Sequence, residues 1–122
     1  MQFHRIGEYL ATSRITGPRH NLLQLRLASG SAAAIECEKL PPVGSCVHEP
    51  LDEQALIANV LQGVAEANAE LGTVYSVTHI RYVANDTKPE NAYAYMAYKL
   101  VHWLASEAEP QGSASRDGRN AL

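Results

Sequence analysis

The sequence predicts an α+β protein, a two-layer α/β sandwich with the element order β-β-β-α-β-α. Three observations carry this. Leu23, Leu25 and Leu27 alternate with Gln24 and Arg26, and Ala33, Ile35 and Cys37 alternate with Ala34, Glu36 and Glu38. Period two marks a strand with one buried face. From Asp52 to Glu107 the pattern becomes helix, strand, helix, with apolar residues three and four apart in both helices. A four-stranded mixed sheet with two helices on one face buries all of these stripes.

Residues 3–15 are rich in β-formers with imperfect alternation, and read as one first strand. Thr16 to Asn21 is a turn by composition, because Gly17 can take a positive φ and Pro18 fixes its own. The strand around Leu23–Leu27 follows. Ser29-Gly30-Ser31 then predicts a tight turn into a third strand, paired with the second as a hairpin. Together the three read as an antiparallel meander. Pro41-Pro42-Val43-Gly44 ends it.

Asp52 is placed to cap the first helix, and Glu53 suits the positive end of its dipole. Ile57, Val60, Leu61, Val64 and Leu71 make its expected core stripe, interrupted at Asn68, and Gly72 is the expected stop. Residues 74–84 form the fourth strand. Apolar residues on both of its faces predict a central position. Thr87 and Glu90 have capping-box spacing ahead of the second helix, with Pro89 in its first turn. Tyr93, Met96, Ala97, Leu100, Val101 and Leu104 are its expected core stripe.

The 122 residues suffice for one domain, read as 1–108, with a polar, Gly- and Ser-containing tail at 109–122 expected to be disordered. Net charge is −3, which gives no global attraction to nucleic acid or anionic lipid. The charge is uneven. Arg5, Arg14, Arg19 and Arg26 face only Glu8 in residues 1–30, whereas 36–70 is acidic. No apolar run is long enough to span a bilayer and no secretory leader is evident, so a cytoplasmic protein with reduced thiols is expected; a Cys37–Cys46 disulfide is the alternative.

The stretch from Gly63 to Ala108 resembles the fourth domain of translation elongation factor G. Gly63, Glu66, Ala67 and Gly72 match its G-x-x-E-A helix and stop. Val77 and Ile80 match its strand, Asp86 and Thr87 its loop, and Ala94, Tyr95, Lys99 and Leu100 its last helix. The segment from Ile35 to Pro50 is similar to the family's E-x-L-x-P-G-x-G piece. The resemblance covers about residues 20–108. It implies a left-handed β-α-β crossover and a role in contacting RNA or the ribosome. The family's tip loop carries a Tyr-His pair, whereas residues 84–89 here contain no histidine. No G-x-x-x-x-G-K-[ST] loop is present, so a P-loop nucleotide site is not expected.

The leading expectation is therefore a small non-enzymatic binding domain without a cofactor. Arg14, Arg19, His20 and Arg26 around the first turn, with Lys88, are the candidate nucleic-acid contacts. The bland alternative is a solvated hairpin that arginines keep soluble, since no aromatic stacking platform lies beside them in the sequence. A second reading is a small enzyme using Cys46 as nucleophile and His48 as base, weighed against an ordinary loop cysteine and histidine. Scattered histidines show no metal-ligand spacing. A third reading is a homodimeric accessory protein. Tyr95, Tyr98 and His102, three and four apart and off the core stripe, form its candidate partner surface, and the open sheet face is also available for dimerisation. The alternative is that these rings pack at the core edge with their hydroxyls in water.

Overall fold

Gly7 sets the first departure from these expectations. It takes a left-handed conformation, φ 58°, and reverses the chain inside the segment expected to be one strand. The result is a hairpin of β1 (Gln2–Ile6) and β2 (Tyr9–Thr16), with Ile6 opposite Tyr9. The imperfect alternation of residues 3–15 has its cause here. The computed structural model describes residues 1–16, 19–30, 34–41, 51–83, 86 and 89–108, of which 15, 16, 19, 20 and 108 are described in backbone only.

The remaining elements are β3 (Arg19–Ser29), β4 (Glu36–Leu40), α1 (Glu53–Leu71), β5 (Tyr75–Val83) and α2 (Ala92–Ala108). Among the described residues the sheet is mixed and has five strands, one more than expected, in the order β1-β2-β3-β5-β4. The antiparallel meander is β1-β2-β3. β4 does not form a hairpin with β3 as expected. It pairs in parallel with β5 at the sheet edge, with Cys37 opposite Ile80. β5 takes the central place between them, antiparallel to β3. At Gly30 the chain turns off β3 with φ 86°, and the Gly30 N–H donates to the Val74 carbonyl. β5 occupies the edge of β3 that a direct return would need.

Both helices lie on one face of the sheet. Leu10, Leu23, Leu25, Ile80 and Tyr82 meet Leu56, Val60, Met96 and Leu100 in one buried cluster. A bulge between Arg26 and Leu27 skips Thr78 in the pairing, so Val77 and Ile80 both reach this core. The α2 stripe is as expected, with Leu104 only partly buried. The α1 stripe is rotated: Leu56, Val60, Gly63, Val64 and Ala67 are buried while Leu61 is exposed. The physical reason is α2. α1 must face both the sheet and its neighbour helix, and the small residues Gly63 and Ala67 fill that second contact.

The ends of α1 are built as its sequence predicts. Asp52 Oδ1 accepts from the Gln54 and Ala55 amides at 3.0 and 3.3 Å. Gly72 terminates the helix at φ 70°. Asn68, which interrupts the expected stripe, has a different task. Its Nδ2 donates to the Tyr75 carbonyl at 2.9 Å and its Oδ1 accepts from Thr73 Oγ1 at 2.7 Å, pinning the turn into β5. Thr87 lies outside the described residues. Glu90 accepts from the Asp52 amide at 2.7 Å, so it serves the entry of α1.

Candidate partner-binding groove

The candidates from sequence are dispersed, with one exception. Arg14 lies on β2 opposite Asn21, and its position two residues from buried Thr12 places it on the helix-covered side. Arg26 is one residue from buried Leu25, so it lies on the other face, where it pairs with Glu8 and stands over Tyr9. These two arginines therefore do not form one surface. The backbone of Arg19 and His20 opens β3, and their side chains lie outside the described residues. Lys88, Cys46 and His48, and the segment 109–122, also lie outside them.

Cys37 carries a free thiol beside Glu53. Burial, reinforced by the Glu53 carboxylate, pushes this thiol up to about 11, which leaves it a poor nucleophile at neutral pH. Glu53 also accepts from the Tyr82 hydroxyl at 2.7 Å, so this trio closes the core edge. Among the described residues no three His, Cys, Asp or Glu side chains are grouped to hold a metal ion, and no helix is long and apolar enough to cross a membrane.

Tyr95, Tyr98 and His102 are the exception. The fold brings them together against Glu70 of α1. The Tyr98 hydroxyl donates to Glu70 Oε1 at 2.5 Å, and His102 Nε2 stands 3.1 Å from the same oxygen. The Tyr98 and His102 rings are 4.6 Å apart. Tyr95 is 52% exposed, with Lys99 Nζ 6.0 Å above its ring. Between the helices, Glu66, Glu70, Asn91, Ala94, Tyr95 and Tyr98 line an open groove of about 320 Å³. Its floor exists because Gly63 lets the backbones of α1 and α2 touch. Glu66 is steadied one turn away by Gln62 Nε2 at 3.1 Å.

The hydrogen bond from Tyr98 holds the Glu70 carboxyl below the usual carboxylate range, with His102 adding to it. The same bond raises the Tyr98 phenol. A lowered carboxyl contributes its contact above its unfolded value and loses it as pH falls through the folded one. The α1–α2 tie is thus present at neutral pH and weakens when Glu70 gains a proton in acid or Tyr98 loses one in base. Tyr98→Phe is expected to move the Glu70 titration upward, toward an ordinary glutamate, in a carbon-detected NMR pH series. An unmoved Glu70 curve would show that the bond is absent in solution.

Glu70 and Glu66 were missed in the sequence because they sit on a different helix from the tyrosines. A larger groove of about 460 Å³ beside α1 is lined by Ile35, Leu61, Ala65 and Tyr75, but its Asn68 is already committed to the turn. No protein-family model, curated protein or solved structure matches this chain.

Proposed function

We propose that this chain is a small non-enzymatic binding domain, a freestanding relative of the fourth domain of elongation factor G, and that its α1–α2 groove receives a lysine or arginine side chain of a protein partner. The observation that carries this is the pairing of two carboxylates with the exposed Tyr95 ring and the half-buried Tyr98 ring around one groove. A cation gains from both, through charge on Glu66 and Glu70 and through the ring face of Tyr95. Lys99, already over that ring, is an internal example of the contact. Basic protein segments on the ribosome are one class of surface that such a groove fits. Nucleic acid is disfavoured here, because the carboxylates repel phosphate.

Titration with a polylysine peptide, followed by calorimetry, tests the groove. Tyr95→Ala is expected to weaken binding about three-fold, the size of an exposed cation–π contact. Joint replacement of Glu66 and Glu70 by Gln should weaken it further and flatten its salt dependence. Equal affinity in all three proteins would overturn the assignment.

A further inference from the structure

The face of the sheet away from the helices carries a second arrangement, independent of the groove. Tyr9 opens β2 on this face. The Arg81 guanidinium stands 3.9 Å from the centroid of its ring and that of Arg26 5.9 Å from it, while His79 approaches its edge at 6.2 Å. Gln24 lies on the same face, opposite Ala11 on one neighbouring strand and Arg81 on the other. It is only 7% exposed, and among the described residues its Oε1 has no hydrogen-bond partner. A buried acceptor without a donor is costly, so its persistence calls for an explanation.

We infer that this face binds single-stranded RNA, with one base stacked on Tyr9, a base amino or imino group donating to Gln24 Oε1, and phosphates on Arg26 and Arg81. A ring flanked by guanidiniums is a stacking platform with charge beside it. The acids that now hold the cations do not block this. Glu8 and Glu38, which hold Arg26 and Arg81, are 76% and 58% exposed, and ion pairs so open to solvent are weak. A phosphate can displace them, and the base takes the place of the Arg81 guanidinium on the ring; Gln24 Oε1, sealed from solvent in the free protein, is reached once Arg81, its cross-strand neighbour, moves aside. Duplex RNA cannot enter, because its bases are already stacked. The site is separate from the loop at 85–90 and uses Arg26 without Arg14. The sequence reading found no aromatic beside the arginines because Tyr9 and Arg81 meet only through the sheet.

The test is fluorescence anisotropy of the full chain with labelled polyadenylate, whose exocyclic amine is a donor, across a salt series. The wild type is expected to bind, more weakly as salt rises, and to prefer the single strand to its duplex with polyuridylate. Tyr9→Ala should cost about ten-fold, and Tyr9→Phe should retain binding. Arg81→Gln should lower the salt slope by about one. Gln24→Leu, which removes the orphan oxygen, should weaken polyadenylate while leaving the salt slope unchanged; it and Arg81→Gln decide the matter if Tyr9→Ala does not fold. No binding at low salt, as for a face that takes protein instead, would overturn the proposal. So would binding that none of these substitutions changes.

Discussion

Gly63→Ala is expected to destabilise the protein by about 3 kcal/mol, even though alanine is the better helix former. An added Cβ would lie 2.0 Å from the Ala94 carbonyl oxygen, 2.9 Å from its carbon and 3.0 Å from the Tyr98 amide nitrogen. All three are backbone atoms, so no rotamer change relieves them. α2 must move away from α1, and Tyr93, Met96 and Leu100, all fully buried, move with it. The propensity gain of about 1 kcal/mol is smaller than the packing loss. Urea unfolding checks the sign: a midpoint equal to or above that of the wild type would mean that the helices are not in contact at Gly63. The same displacement should separate Tyr98 from Glu70, so the groove and the stability are expected to fail together.

Asp86→Ala is expected to cost a similar amount, about 3 kcal/mol, for a different reason. Asp86 is 1% exposed, and its Oδ2 accepts from the Leu22 amide at 2.8 Å and from the Tyr93 hydroxyl at 3.3 Å. Asn21 Nδ2 donates to that hydroxyl in turn, at 3.3 Å. Burial pushes the Tyr93 phenol well above its usual range, with Asp86 adding to the effect, so it remains a donor at neutral pH. Removing the carboxylate strands these donors in the interior, where each lost partner costs more than the bond contributed. Asp86→Asn keeps an acceptor oxygen and should lose less. Thermal unfolding should place the alanine variant more than about 10 °C below the wild type. A midpoint within a few degrees would show that water or another group replaces the carboxylate.

Local signals were legible where one segment decides its own structure. Asp52 and Gly72 mark the ends of α1 because a cap needs a side-chain acceptor and a stop needs a left-handed residue. The spacing of Tyr95, Tyr98 and His102 identified a shared helix face. What failed was decided across the fold. β4 looked like the hairpin mate of β3 because its partner, β5, lies a whole helix away. Leu61 outranks Gly63 in hydrophobicity, yet close approach of α2 requires the glycine. Arg14 and Arg26 seemed to flank one turn, but strand parity puts them on opposite sides of the sheet. Gly7 hid in a segment that still reads as β-forming on both sides of it.

The parallel pairing of β4 with β5 has a consequence for the order of folding. Glu38 and Arg81, which bridge these strands at 3.0 Å, are 43 residues apart in the chain. The β1–β2 hairpin closes across a turn of two residues, Gly7 and Glu8. Loop closure therefore costs least entropy in the meander and far more for both neighbours of β5, since Ser29 and Tyr75, which pair β3 with β5, are as distant in the chain as the β4 pair. β4 is also short, at five residues, and among the described residues is paired on one side only, so few contacts offset that cost. It is the strand that nucleation can do without, and its docking seals an edge of β5 that would otherwise stay open to pairing with another chain.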